Sequence, residues 1–229
     1  NLIYTKTTDS NSGNAYDFKS NLSINNFGII SVNKTGNVII TSGYGMNRTN
    51  NFNNSIYVDV FNENNSLIDA YFAEIIANDI YDADQLYNYS PSYIYPIWET
   101  YLMDFNPDGS LSSPVPMGEL TQRKGVNSWG GTNEWTISLG ANISDKLFFG
   151  ASLNFPYLNS KRIIDYEEDF STSEYNNYWH QEEIMSTSGW GINGKFGVIA
   201  YPARWIRLGA SFHTPTLYEL TDMWRTETY

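Results

Sequence analysis

Residues 135–155 read WTISLGANISDKLFFGASLNF, and this stretch decides the fold class. On both sides of its centre, apolar residues occupy every second position and alternate with small or polar residues. Such period-two alternation over about nine residues is typical of a β-strand with one apolar face. The centre, Ser144-Asp145-Lys146, has the composition of a turn. The stretch therefore predicts a β-hairpin with one apolar and one small or polar face.

Two further pairs of alternating segments have the same design. Residues 190–200 pair with 206–212, and residues 22–32 pair with 38–46, each around a short turn. In residues 22–32 the alternation shifts by one position at Asn25-Asn26, which indicates a β-bulge. The sequence thus predicts three β-hairpins.

The connections between the predicted strands differ in length in a regular way. Short turns fall at Asn33–Gly36, Ser144–Lys146 and Pro202–Arg204, whereas residues 51–131 and 162–186 form long connections. Short turns at one end and long loops at the other are typical of transmembrane β-barrels. We therefore expect one partial barrel domain over residues 1–229, with those two segments as long extracellular loops.

Strand length and aromatic placement agree with this fold class. Strands of about nine to eleven residues match a tilted crossing of a bilayer. Trp135, Trp190, Tyr201 and Trp205 lie near strand ends, where interfacial aromatic belts occur. We predict an all-β fold, a transmembrane antiparallel β-barrel with short helices in a long extracellular loop. A soluble β-sandwich with aromatic residues at its rim remains the alternative.

Composition and charge exclude several classes. The net charge of −12 disfavours a nucleic-acid partner, and the absence of cysteine excludes disulfides and thiolate metal sites. No apolar run is long enough for a transmembrane helix. Of 25 acidic residues, 11 lie in residues 51–131 and 7 in 162–186. Charges on a lipid-facing strand cost about 2–4 kcal/mol at mid-bilayer, so this distribution favours a membrane barrel.

The long loop contains helix signals. Ser66 and Asp69 form a capping box ahead of an apolar stripe that runs to about Asn78. A second helix is expected after Pro91. These stripes form either a lid over the channel or an anchor of the loop to the rim. Their apolar residues are Ile68, Phe72, Ile75, Ile76, Ile94, Trp98, Tyr101 and Leu102.

No catalytic constellation is recognisable. His180 and His213 fall on different elements, and no Ser/His/acid set accompanies them. The acidic run Asp165–Asp169 offers calcium ligands, but a solvated loop edge is the favoured explanation. We therefore expect no enzyme activity, no cofactor and no metal.

The hairpin of residues 135–158, together with Gly194–Ile199 and Arg207–Pro215, resembles the FadL/TodX family of outer-membrane transport proteins. The resemblance implies a 14-stranded monomeric barrel closed by an N-terminal hatch, in the outer membrane of a Gram-negative bacterium. It implies uptake of hydrophobic small molecules such as long-chain fatty acids, with membrane lipid around the barrel. About seven strands are predicted here, so the chain would be half of such a barrel, without the hatch and the C-terminal strands.

The resemblance also implies site residues. A lateral exit would lie at a kink of the third strand, where Gly43-Tyr44-Gly45 supplies flexibility; relief of crowding is the other explanation of these glycines. On the loop, the predicted ligand contacts are Phe72, Ile75, Ile76, Trp98 and Tyr101. On the polar strand face, they are Lys195, Arg207 and His213. Lys195 and Arg207 would pair with a carboxylate head group or else act as structural partners for carboxylates of the hatch.

A different class of function is compatible with the same features. A large loop with helices suits protein docking as well as ligand capture. The alternative function is therefore a non-transporting barrel that acts as a scaffold, with an outer-membrane protein as its partner.

Overall fold

The computed structural model describes residues 2–9, 13–20, 24–171 and 177–229. The strands are β1 (Leu2–Asp9), β2 (Gly13–Ser20), β3 (Asn26–Thr35), β4 (Val38–Asn51), β5 (Asn54–Asn62), β6 (Asp104–Phe105), β7 (Leu111–Ser112), β8 (Leu120–Ile143), β9 (Leu147–Asp169), β10 (Tyr178–Ala203), β11 (Ile206–His213) and β12 (Leu217–Thr228). The helices are α1 (Leu67–Ala77), α2 (Ala83–Tyr89) and α3 (Tyr95–Glu99).

The large sheet is antiparallel and built on three long strands, β8, β9 and β10. Along one side of β8, β4 pairs with its second half and β5 with its first half. On the side of β10 that faces away from β9, β12 pairs with the first half of β10 and β11 with its second half. Strand β3 pairs with β4, and in the described part of the chain β3 does not pair with β11 or β12. The predicted antiparallel β-fold is confirmed, and closure into a barrel stays a prediction.

The three predicted hairpins are present as β3–β4, β8–β9 and β10–β11. Residues 21–23, where the first was expected to begin, lie outside the described residues. The turns adjoin one another, because Ser144 N–H donates to Asn37 O (2.8 Å) and Tyr201 N–H donates to Lys146 O (2.8 Å). We call this edge of the sheet the turn end.

The two long connections contain more strand than the sequence indicated. Within residues 51–131, β5 and the first half of β8 extend the sheet, so that residues 63–119 alone form the excursion. Within residues 162–186, β9 continues to Asp169 and β10 begins at Tyr178, while residues 172–176 lie outside the described part. Pairing with neighbouring long strands stabilises these segments, of which only β5 shows an apolar alternation of its own, at Ile56, Val58 and Val60.

Residues 63–119 form a compact unit that we call the cap. The predicted capping box is confirmed, since Ser66 accepts a hydrogen bond from Ile68 N–H (3.0 Å) and Asp69 accepts one from Ser66 N–H (2.9 Å). The second helix, α3, is shorter than expected, and α2 was not predicted. Most of the buried apolar residues of the described chain lie in the cap: Ile68, Tyr71, Ile75, Ile80, Leu86, Ile94, Ile97, Met103 and Val115.

Strand alternation gives the sheet two faces. The cap face carries Thr136, Asn154 and Glu168, and the cap packs on its upper part. The open face carries Ile137, Leu139 and Phe149. The hydrophobic core of this chain therefore lies between the cap and the upper strands, while the apolar open face takes no part in it.

Candidate functional site

The open face near the turn end is a continuous apolar surface. Cross-strand register places Leu139, Ala151, Phe196 and Phe212 in one row across four strands. Large side chains on this face are about half exposed, for example Leu139 at 61% and Phe212 at 63%. This face contains a groove of about 690 Å³, which is lined by Ile40, Phe149 and their neighbours. This is far more clustered apolar exposure than scattered surface residues produce.

Aromatic side chains mark the limits of this apolar band. At its upper limit, Trp135 contacts the rings of Phe27 and Tyr44 at centroid distances of 5.8 and 5.9 Å. At the same level, Tyr157 and Trp190 contact each other at 4.6 Å. The turn end carries the exposed Trp205. From Trp135 to Ile143 the strand rises about 27 Å along its own axis, at ~3.3 Å per residue.

A polar cluster occupies the cap face behind the upper part of this band. Asn154 is fully buried, and it accepts a hydrogen bond from Thr136 Oγ1 (2.8 Å) and donates to Asn193 Oδ1 (2.9 Å). Asn193 in turn donates to Glu134 Oε2 (3.3 Å), and Lys195 Nζ lies 2.5 Å from Glu134 Oε1. We call these five residues the polar cluster. The negative charge of Glu134 and the positive charge of Lys195 neutralise each other within the cluster.

Of the three predicted ligand contacts on the strands, Lys195 and His213 are neighbours, and Arg207 lies apart from them. Lys195 is paired with Glu134, so its charge already has a partner within the chain. His213 is the cross-strand neighbour of Lys195 and is exposed. Arg207 lies towards the turn end, with its guanidinium 5.7 Å from the Tyr201 ring centroid. The partner of Lys195 is thus a strand carboxylate, and pairing of Lys195 or Arg207 with a ligand or with the hatch stays a prediction.

Arg162 is a cation that the sequence analysis did not select. It lies on β9 on the cap face, between Asn154 and Glu168, because all three occupy even positions of one unbroken register. Arg162 is exposed and makes no ion pair with a described residue. The sequence could have indicated Arg162. Continued past residue 155, the alternation of residues 147–155 places residue 162 on the strand face that carries Ser152 and Asn154.

The five predicted contacts on the cap divide into two groups. Ile75 is fully buried in the cap core, and Phe72 and Trp98 pack against that core. Ile76 and Tyr101 are 67% and 82% exposed. Ile75, Phe72 and Trp98 therefore stabilise the cap core and its packing on the strands. Of the five residues, Ile76 and Tyr101 are the two that expose a large surface to solvent.

Glu168 is the point at which the cap joins the sheet. Its carboxylate is fully buried and lies on the cap face of β9. Five donors from four separate elements or their caps surround it: Ser66 Oγ (2.5 Å), Leu67 N–H (2.7 Å), Gln122 Nε2 (2.8 Å), Tyr166 OH (2.6 Å) and Trp179 Nε1 (2.9 Å). A buried charge is tolerated only when such hydrogen bonds replace its hydration.

The acidic run Asp165–Asp169 is strand rather than loop edge. Alternation places Glu168 under the cap and Glu167 on the open face, where Glu167 pairs with Arg123. Asp169 also pairs with Arg123, at 3.4 Å, and its pKa is lowered mainly by hydrogen bonds from Ser171 and further by Arg123. Among the described residues no group of three or more acidic or histidine side chains is arranged to hold a metal ion.

The buried Tyr71 and the half-buried Tyr166 predict alkaline sensitivity of the cap. Burial raises the pKa of Tyr71 and Tyr166 above the ordinary value of 10.0, and the hydrogen bond to Glu168 raises that of Tyr166 further. Because both phenols titrate higher in the folded state than in the unfolded state, their stabilisation is complete below pH 10 and is lost above it. We expect tyrosinate absorbance from these two groups to appear only as the cap unfolds. Their ionisation at ordinary pKa with an intact cap would contradict this account.

The strand pairing has no register shift at Gly43-Tyr44-Gly45, where a kink was predicted. Strand β4 keeps an unbroken register with β3 and β8 through these residues, and its register shift lies at Arg48–Asn50. A Cβ on Gly45 would lie 2.8 Å from Phe27 O and 3.2 Å from Gly28 Cα. Close contact with β3 at Gly45 agrees with relief of crowding, the other explanation from the sequence, and the kink with its lateral exit stays a prediction.

Alanine at Gly45 tests this explanation. We expect Gly45→Ala to lower the free energy of unfolding in urea by about 1–3 kcal/mol, because the β3 backbone must shift. Gly150→Ala is the matched control, since a Cβ there meets no heavy atom within 4 Å. Equal stability of the two variants would show that Gly45 is not required for packing.

The described residues contain no helix with the length and apolar character needed to cross a membrane. No protein-family profile, curated protein or solved structure matches the chain.

Proposed function

We propose that this chain is part of an outer-membrane β-barrel of a Gram-negative bacterium that takes up hydrophobic compounds, such as long-chain fatty acids, without chemistry on the ligand. The observation that carries the proposal is the open face, where Leu139, Phe149, Phe196 and Phe212 are each about half exposed side by side. Water contact with such a surface is unfavourable by roughly 25 cal/mol per Å². Acyl chains of a bilayer cover it without a second protein layer.

The cap face supports a channel rather than a solid core. One row across it consists of Thr41, Gly140, Gly150, Gly197 and Ser211, which leaves space along the strands. Small side chains on the inside of a barrel allow a plug or a ligand to approach the wall. The resemblance of the hairpins to FadL/TodX transporters agrees with this arrangement.

The route of a ligand follows from the charges and burial. The apolar tail enters beside the cap, since the residues of the cap core are packed against one another. A carboxylate head group then meets Arg162, a cation of the cap face that makes no ion pair with a described residue. Lys195 serves the polar cluster, and Arg207 lies at the far end of the strands.

Uptake by cells that carry the complete gene tests this function. We expect deletion of the gene to reduce uptake of a labelled long-chain fatty acid, and the wild-type gene to restore it. Arg162→Met should restore uptake only in part, while Arg207→Ala should restore it fully. Normal uptake in the deletion strain would contradict transport, and a protein that copurifies through the cap in that case would favour the scaffold.

A further inference from the structure

The turn end of the sheet concentrates exposed cations. Lys34, Lys146, Arg204 and Arg207 are exposed, and they belong to or lie next to the three tight turns. Asp145 is the carboxylate of these turns, and it accepts a hydrogen bond from Asn142 Nδ2 (2.7 Å). Lys34, Lys146 and Arg204 make no ion pair with a described residue. The turn end is therefore a surface of net positive charge on a chain of net charge −12.

The geometry of this surface is fixed by the backbone. Hydrogen bonds between neighbouring turns, from Ser144 N–H to Asn37 O and from Tyr201 N–H to Lys146 O, hold the turns side by side. The Tyr201 ring in turn lies beside the Arg207 guanidinium. Cations whose backbones are held in this way lose little freedom when they bind an anion.

Trp205 gives the surface an interfacial character. Its side chain is 84% exposed and follows Arg204 directly in the tight turn of β10–β11. Tryptophan is enriched where a protein meets the headgroup region of a bilayer, because its ring is apolar and its N–H is polar. A tryptophan among exposed cations indicates a lipid surface rather than bulk solvent.

The opposite end of the molecule carries the opposite charge. The cap contains ten acidic residues and no lysine, arginine or histidine. An anionic lipid surface therefore attracts the turn end and repels the cap. The two ends together define one orientation at such a surface.

We propose that the turn end binds the phosphates of anionic phospholipid headgroups through Lys34, Lys146, Arg204 and Arg207, with Trp205 at the interface. This inference rests on the proposed membrane function. The chemistry is charge pairing of ammonium and guanidinium groups with phosphate oxygens.

Lipid retention by the full-length protein tests the inference. The protein is placed in nanodiscs of equal parts phosphatidylglycerol and phosphatidylcholine, and native mass spectrometry counts the lipids that remain bound. A cation near an anionic lipid surface favours binding by about fivefold. We expect the wild type to retain phosphatidylglycerol over phosphatidylcholine by about fiftyfold, and Lys146→Gln/Arg204→Gln to lower this ratio about 25-fold, to about twofold. Lys124→Gln/Lys161→Gln, with the same loss of charge on the upper strands, should keep the wild-type ratio.

Each other outcome overturns the inference in a recognisable way. A wild-type ratio near one, or a ratio that Lys146→Gln/Arg204→Gln leaves unchanged, would contradict headgroup binding while leaving the membrane function intact. Loss of the preference when millimolar inorganic phosphate is added would show a site for free phosphate. Failure of the protein to enter nanodiscs at all would remove the proposed function together with the inference.

Discussion

Replacing Glu168 with glutamine should detach the cap from the sheet. The amide cannot accept from all five donors, so at least two buried donors lose their partner. Each unsatisfied buried group costs about 1–3 kcal/mol, and we expect a total loss of roughly 3–5 kcal/mol in the stability of the docked cap. Hydrogen exchange and limited proteolysis of residues 63–119 measure this loss, while β8–β10 near the turn end should stay protected.

The neighbouring residue provides the control for Glu168. Glu167 has the same side chain but lies on the open face, partly exposed, with Arg123 as its partner. Surface ion pairs contribute at most about 1 kcal/mol, so Glu167→Gln should leave the cap docked. Equal protection of the cap in Glu168→Gln and Glu167→Gln would contradict the role assigned to Glu168.

Truncation of Ile75 should have an effect of similar size. Ile75 is fully buried in the cap core, and removal of a buried isoleucine side chain to alanine costs about 2–5 kcal/mol. Ile76 is 67% exposed, so Ile76→Ala should change stability by less than about 0.5 kcal/mol. Thermal and urea unfolding of the cap, followed by hydrogen exchange, compares the two variants.

The same two variants distinguish an anchoring role of α1 from a role in ligand capture. If the stripe of α1 is an anchor, Ile75→Ala reduces the amount of folded cap, and Ile76→Ala leaves both folding and uptake unchanged. A loss of fatty-acid uptake in Ile76→Ala with a fully folded cap would instead show that the exposed side of α1 contacts the ligand.

The sequence predicted the parts of the fold that depend on local pattern. Alternation over residues 135–155 and 190–212 predicted the hairpins, because one face of each strand is apolar and the next residue is small. The pair Ser66 and Asp69 predicted the start of α1, since both partners of a capping box lie within one turn. In each case the residues that decide the structure are close together in the chain.

The parts that depend on distant contacts were not predictable in this way. The first half of β8 has no apolar alternation, because both of its faces mix polar with apolar residues. Leu120 and Lys124 share the cap face, and Arg123 and Trp129 share the open face. Glu168 looked like a member of a solvated acidic run, and its burial depends on Ser66 and Gln122, which are 102 and 46 residues away. The partner of Lys195, Glu134, is likewise 61 residues away.

The central claim is that the open face contacts acyl chains while the cap face does not. The chain contains no cysteine, so single nitroxide labels are easily introduced at residues 136–142 of β8 in the reconstituted full-length protein. Spin-label accessibility then reports lipid or water at each position. We predict a period of two, with oxygen favoured at Ile137, Leu139 and Ala141 and a polar nickel reagent favoured at Thr136, Ser138 and Asn142. Low accessibility to both reagents at Ile137, Leu139 and Ala141, in a protein that dissolves without detergent, would contradict the account.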